Sequence, residues 1–402
     1  HDVLQIGNDD LPCLVDSVMM ALAERGVGVH VMGHPVVRIA RDRSGKLTAV
    51  GDGQVESMMH LEIDRQSAAD SAAIEAAIRT VLADVRSIVE DWPAMRQKML
   101  DVTVDVGKRR MPVGDAGRKE AQEFLRWAAD DHFTFLGYRE YRVRKEGKEE
   151  VLAADAGSGL GLLRGRESTK PRKLTTLAAH YMPQSGSVDA LILTKTNARA
   201  TVHRPGYMDY IGVLSFDADG RAIAEQRFIG LYTSSAYTRR PWEIPLVRER
   251  HEYVMRSSGL QPTGHSGKAL RHILEKLPRD ELFQSTGPEL YQLASGILNL
   301  QERVRSRLFL RHDRYGRFYS VLAYIPRDRY NTEIRLRIEA MLKDALGADR
   351  VDSTIQLGDS PLAQLHILVR PRKDEVVVAD AATIDAKLSA IVRNWQDDLR
   401  EL

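Results

Sequence analysis

Apolar and polar positions alternate with period two across Leu308–Leu310 and again across Phe318–Ile325, with His312-Asp313-Arg314-Tyr315-Gly316 between them. Alternation rich in aromatic and β-branched side chains, broken by a Gly-bearing turn, predicts a β-hairpin. Counted straight through the turn, the pattern sets Leu308, Leu310, Phe318, Ser320, Leu322 and Tyr324 on one face. Tyr319, Val321, Ala323 and Ile325 fall on the other. Pro326 has no N–H for a ladder and ends the second strand. Asn331 caps a following helix whose Ile334, Ile338, Met341, Leu342 and Ala345 recur at helical spacing. Two apolar runs, Val351–Leu357 and Leu362–Val369, supply two further strands. Strand, strand, helix, strand, strand is a small α+β module with one sheet face under its helix. Both faces of Phe318–Ile325 are apolar, so the second face is expected to be covered too, by another subunit or another module.

The same theme opens the chain. Val3–Gly7 reads as a strand, Asn8-Asp9-Asp10 as a turn and cap, and Leu14, Val15, Val18, Met19 and Leu22 as a helical stripe ending at Gly26. Val27–Ala40 is a strand pair or one strand bent at Gly33-His34-Pro35, and Glu56–Ile63 alternates again. A helix is predicted over Ala68–Val89, then a linker over Gly107–Gly117. Residues 118–235 form a sheet-centred block: a helix to Asp130, an aromatic strand His132–Val143, a turn-rich loop Ala153–Lys173, then strands Ala190–Thr196, Tyr210–Phe216 and Ile223–Tyr232. Leu246–Ser257, Gly267–Lys276 and Pro288–Arg305 read as helices, the last opened by a Thr286/Glu289 capping box. Ile384, Leu388, Ile391, Val392, Trp395 and Leu399 make a closing amphipathic helix. The fold class is therefore α+β and multidomain, divided as 1–100, 118–235, 240–305 and 306–402.

Composition narrows the function. In 402 residues, 43% hydrophobic and 28% charged content are those of a globular protein, and a formal net charge of +2 gives no extended nucleic-acid footprint. Cys13 stands alone, which rules out an internal disulfide and fits a reducing, cytoplasmic compartment. No apolar run is long enough to span a bilayer, so no membrane partner is expected. The chain starts at His1 rather than Met and enters strand-like sequence by Val3, as a piece of a longer protein would.

Two stretches carry candidate ligand chemistry. Asn8, Asp9, Asp10 and Pro12 lead into a helix N-terminus, whose amides and dipole suit a carboxylate; the competing reading is plain capping by Asp9 or Asp10. Lys195, Arg199, His203 and Arg204 cluster beside strands, where they could hold an oxyanion or form a structural ion-pair surface. Gly264–Ala269 fails the phosphate-loop pattern, with Pro262 at the first Gly position and Ala269 where Ser or Thr is required. Gly157–Gly161 lacks both the second spacing of a dinucleotide loop and its preceding strand, and reads as a flexible loop. The histidines show no metal-binding spacing, and His312-Asp313 reads as a turn. Catalytic, cofactor-binding and metal-ligating residues are thus predicted to be none.

Longer blocks carry a resemblance. FLRWAADDHFTFLGYREY (Phe124–Tyr141), TKTNARATVHRPGYMDYIGV (Thr194–Val213), RFIGLYTSSAY (Arg227–Tyr237), PRDELFQ (Pro278–Gln284), LQERVRSRLFLRHDRYGRF (Leu300–Phe318) and YIPRDRYNTEIR (Tyr324–Arg335) resemble the N-terminal region of the large bacterial NAD-specific glutamate dehydrogenases. The resemblance covers the whole chain. It implies ferredoxin-like ACT modules at both ends, flanking a PAS-like sheet domain and a helical connector. It also implies a Rossmann-type catalytic region beyond Leu402 that oxidises L-glutamate to 2-oxoglutarate and ammonia with NAD. The partners so implied are that C-terminal region, further copies in a homo-oligomer, and an amino-acid effector. The first module keeps the Asp and Pro of the ACT loop in Asp10-Leu11-Pro12-Cys13-Leu14 but places Cys13 at its glycine position. The alternative within the same family is a purely architectural scaffold with no small-molecule ligand.

Overall fold

The computed structural model describes residues 1–109, 111, 113–165, 172–173, 191–301, 304–358, 360–372 and 380–393. The chain divides into two compact units, one of 1–111, 128–174 and 195–233, the other of 112–127, 175–194 and 234–402.

The first unit opens with β1 (Asp2–Asp9), α1 (Leu14–Ala23), β2 (Val29–Gly33), β3 (Val36–Arg41), β4 (Leu47–Val50), β5 (Gln54–Ile63) and α2 (Ala68–Lys108). β5 is the central strand. β1 runs antiparallel along one side of it, from Asp2 opposite Ile63 to Asp9 opposite Glu56. β2 and β3 share its other side, Val29–Gly33 against the Ile63 end and Val36–Ile39 against Ser57–Gln54. Gly33-His34-Pro35 therefore bends one strand into two.

α2 is the main departure from the sequence reading, running 41 residues instead of stopping near Val89, with Pro93 inside it. A helix-interior proline costs ~3 kcal/mol. Met95, Met99, Val102 and Val106 beyond it are all essentially buried, and each such side chain contributes roughly 1.5–3 kcal/mol. Burial wins, and the helix continues. Its Asp70 amide donates to the Ser67 cap (3.1 Å). Along its length α2 packs on α1 and also on β6 (Phe133–Glu146) and β8 (Leu160–Gly161). The expected linker at Gly107–Gly117 shrinks accordingly, because α3 (Asp115–Trp127) starts soon after α2 ends.

The second sheet comprises β6, β7 (Glu149–Ala154), β8, β9 (Arg172–Lys173), β10 (Leu191–Arg199), β11 (Tyr207–Phe216) and β12 (Ala222–Tyr232), ordered β10-β11-β12-β6-β7-β9 with β8 on β6. The stretch read as a flexible glycine loop is close-packed. Gly161 has φ +58, and a Cβ there would lie 2.4 Å from the Leu136 carbonyl oxygen and 3.1 Å from Met95 Sδ. The Asp91 carboxylate of α2 fixes this loop, accepting from the Gly161 amide (2.8 Å) and Arg164 Nε (2.7 Å).

The second unit contains α3, α4 (Ser234–Thr238), α5 (Val247–Ser257), α6 (His265–Lys276), α7 (Arg279–Gln284), α8 (Gly287–Gln301), β13 (Arg307–His312), β14 (Tyr319–Pro326), α9 (Thr332–Ala345), β15 (Ala348–Gln356), β16 (Leu362–Pro371) and α10 (Ala381–Val392). The Thr286/Glu289 capping box forms, Glu289 accepting from the Thr286 amide (2.7 Å). Asn331 accepts from the Ile334 amide (2.8 Å) and opens α9 as its spacing required. The expected closing helix is present as α10; Trp395 and Leu399 lie outside the described residues.

The sheet order is β13-β14-β16-β15. Register corrects the face assignment made from sequence. Leu308 lies opposite Ala323 and Leu310 opposite Val321, so both belong with Tyr319, Val321, Ala323 and Ile325. That face carries the core: these strand residues pack with Ile338 and Leu342 of α9 and Ile384 and Leu388 of α10. Phe318, Ser320, Leu322 and Tyr324 face the other way, and all four are nonetheless buried. The cover expected from a second subunit or module is supplied for part of this face by the chain's own helices. Phe309, opposite Leu322, sits so close to α8 that a Cβ on Gly296 would meet its ring at 2.5 Å.

Ile338 and Leu342 are both fully buried, so truncating either to Ala is expected to cost roughly 2–5 kcal/mol in chemical denaturation. Val321→Asp should destabilise this module to at least the same degree, since its side chain enters the helix-covered core and no intersubunit surface.

Candidate functional site

In the first unit the fold brings together the two stretches singled out from sequence. α1 begins at Cys13, which holds a left-handed conformation (φ 65, ψ 7) and provides no side-chain cap. His203 also has positive φ, at 79. One buried hydroxyl joins them: Ser17 Oγ donates to the Cys13 carbonyl (2.5 Å) and accepts from the His203 amide (3.1 Å). Cys13 Sγ lies 3.7 Å from His203 Nδ1.

This thiol–imidazole pair is not an activated nucleophile. Burial, then the Asp16 charge, raises the Cys13 thiol, while burial and then Arg204 lower His203. Both groups are pushed towards their neutral forms, and the reactive form of cysteine is the thiolate.

The remaining predicted residues have identifiable structural partners. Asp9 accepts from Arg86 (2.7 Å), and Asn8 Nδ2 donates to the Asp9 carbonyl. The Asp10 amide donates to Val55, and neither Asp9 nor Asp10 caps α1. Pro12 lies in the turn before the helix. Lys195 is buried in an ion pair with Asp209 (2.7 Å), and Asp209 also accepts from the Tyr232 amide. Arg204 donates to the Tyr232 carbonyl (2.8 Å), and the Arg199 guanidinium lies over Tyr207 at 5.6 Å. Only His203 among the basic four touches the first-module loop in a described contact. Ser17, which joins the two loops, was missed from sequence, where it was one serine within an apolar stripe.

A second constellation was missed entirely. At the centre of the second unit Glu281 of α7, 2% exposed, accepts from Arg311 Nε and Nη2 (both 2.9 Å) and from Ser320 Oγ (2.5 Å). Arg311 also donates to Gln284 (3.0 Å), and His366 Nε2 lies 3.0 Å from Ser320 Oγ. Burial alone would raise the Glu281 carboxyl, but the Arg311 charge and hydrogen bond, then His366 and Ser320, hold it at about 2. The charge stays on at neutral pH, and the bidentate pair ties α7 to the β13–β14 hairpin. Asp313 serves its turn, accepting from the Tyr315 and Arg317 amides (3.2 Å each). Among the described residues, no His/Cys/Asp/Glu group could hold a metal ion, and no helix is long and apolar enough to cross a membrane.

The chain carries two small α+β modules with helices between them, and family models match it module by module. The glutamate dehydrogenase ACT1 domain model matches residues 1–78, helical motif 1 matches 244–303, and the ACT2 domain matches 307–396. The NAD-specific glutamate dehydrogenase of Halomonas elongata is 37% identical over 99% of the chain, and that of Pseudomonas aeruginosa 37% over 100%. The Mycobacterium tuberculosis enzyme is 28% identical over 98%. The chain belongs to this glutamate dehydrogenase family, and spans about a quarter of the length of the curated relatives it matches.

Two outcomes follow from the geometry. Ser17→Ala should cost about 1–3 kcal/mol by taking the hydroxyl partner from the His203 amide, while the Cys13 carbonyl keeps the Ser17 amide (3.1 Å); chemical denaturation measures it. Glu281 titrates below its ordinary value of 4.5 in the folded protein, so its contribution is complete above pH 4.5 and is lost as pH falls towards 2. Glu281→Gln should flatten that acid limb in denaturation midpoints between pH 5 and 2. It should also cost about 3–5 kcal/mol at pH 7, because Arg311 is left charged and buried.

Proposed function

We propose that this chain is the N-terminal regulatory and assembly region of a large, cytoplasmic NAD-specific glutamate dehydrogenase, whose catalytic region lies outside it. In the whole enzyme that region would convert L-glutamate to 2-oxoglutarate and ammonia. The observation that carries the reading is the match of ACT1, helical motif and ACT2 models in one chain that spans a quarter of its relatives.

At Gly161 the backbone is hemmed in by the Leu136 carbonyl and Met95, and its amide is committed to Asp91, which supports placing the NAD site in the catalytic region.

Effector sensing is assigned to the first-module loop at Cys13 and His203, where an uncapped helix start meets a second loop. An amino-acid carboxylate is the ligand class that such amides suit. The architectural reading is favoured by Lys195 and Arg204, whose ties to Asp209 and Tyr232 already employ the cations that would grip an anion. Sensing and assembly act together if the effector changes how modules pack between copies.

The 402-residue chain is expected to show no glutamate oxidation and no micromolar NAD binding by calorimetry. A thermal-shift screen of the proteinogenic amino acids separates the two readings. A stabilising amino acid whose effect disappears in Ser17→Ala supports sensing at this loop. No shift from any of them leaves the architectural reading.

A further inference from the structure

The helical segment of the second unit holds a concentration of positive charge that the module architecture does not use. The stretch Arg239-Arg240-Pro241-Trp242 precedes α5, and Arg271 and Arg279 come from α6 and the start of α7. The Arg271 guanidinium lies 4.3 Å from the Trp242 ring centre and the Arg240 guanidinium 5.7 Å from it. His251 packs on the same indole at 5.3 Å.

Arg279 belongs to this group through the backbone. It is 7% exposed, its Nη2 donates to the Arg239 carbonyl (2.7 Å) and its Nη1 to the Glu275 carbonyl (3.2 Å). Its Nε has no hydrogen-bond partner among the described residues. His251 is 6% exposed, and neither ring nitrogen has a hydrogen-bond partner among the described residues. Burial and the nearby Arg271 charge hold that imidazole neutral, with its titration lowered to about 4.

Elsewhere in this unit Arg248 is held by Glu120 and Glu123, and Arg311 by Glu281. None of the Arg240, Arg271 and Arg279 guanidiniums forms an ion pair within 4.0 Å among the described residues; the Glu243 carboxylate accepts instead from the Arg240 backbone amide (3.3 Å). The Arg279 guanidinium is bonded to neutral carbonyls, and burial lowers its titration more than the nearby Glu275 charge restores it, so a further anion would be favourable there. Two guanidiniums stacked near one indole bring several N–H donors together, which suits bidentate oxyanion recognition.

We propose that Arg240, Arg271 and Arg279 around Trp242 form a binding site for a small dianionic oxyanion, a phosphomonoester or a dicarboxylate. Arg240 and Arg271 make the first contacts from the exposed side, and Arg279 supplies the counter-charge behind them. Trp242 orients the guanidiniums and reports on them. The site is independent of the loop at Cys13 and needs no catalytic region. It predicts an association that weakens as salt screens it.

The experiment titrates the 402-residue chain separately with inorganic phosphate, AMP and succinate, following tryptophan fluorescence and calorimetry. Saturable binding of at least one probe is expected. Arg271→Ala, an exposed position, should weaken it about tenfold or more, as loss of a charge-assisted bond of about 1.5–3 kcal/mol implies. Trp242→Phe should remove the fluorescence change while calorimetric binding persists. Phosphate and AMP without succinate identify a phosphate site; succinate alone identifies a dicarboxylate site. Arg79→Ala, a surface pair elsewhere, should leave affinity unchanged. Absence of binding by all three probes overturns the proposal. So does binding that Arg271→Ala leaves intact, or binding that Arg79→Ala weakens as much as Arg271→Ala.

Discussion

The Glu281–Arg311 pair is the constraint on which the second unit depends. A two-sided sheet must hide both faces, and α9 and α10 cover only one. The other carries Ser320, Tyr324 and His366 beside Leu322, a mixture that an apolar helix would bury at a loss. Glu281 solves this by bringing a charge into the interface that Arg311, Ser320 and His366 all face. Such pairs add little net stability over apolar substitutes, yet breaking one is costly. What the pair contributes is position: any shift of α7 along the sheet separates Glu281 from Arg311.

The same logic explains why α7 is short and stays put. It has six residues, too few to stand alone as a helix. Leu282 and Phe283 are buried beside Glu281, and Arg250 of α5 donates to both of their carbonyls at 2.7 Å. The charged residue sets the position and its two apolar neighbours contribute the burial.

Much of this was legible in the sequence where the signal is local. The hairpin, the Asn331 cap, the Thr286/Glu289 box and the break at Gly33-His34-Pro35 each depend on a few neighbouring residues. Face assignment failed for a defined reason: His312 pairs with Tyr319, so parity changes across the turn and an even-numbered stripe does not stay on one face. α2 was cut short because Pro93 is a local stop signal, whereas the methionines and valines that carry the helix onward are rewarded only by a sheet formed later in the chain. Glu281 and Arg311 were invisible as a pair because 30 residues separate them, and nothing in either segment names the other. The candidate effector residues were found as two separate clusters; what joins them, Ser17, looked like any small residue on a helix.

The loop at Cys13 keeps a left-handed backbone conformation at a residue that is not glycine. The position where an ACT loop has glycine is here a cysteine that still adopts the left-handed conformation, at a cost of order 1–3 kcal/mol for a non-glycine residue. Something must hold it there. Ser17 does so from below through the Cys13 carbonyl, and through the His203 amide it holds a second left-handed residue at the same point. The added Cβ and thiol occupy space in which glycine would admit a ligand, and the thiol turns to His203. The left-handed turn is thus held while the side chain that fills it faces another segment of the same unit. Cys13 and His203 share one hydroxyl, so a displacement of either backbone is felt at the other.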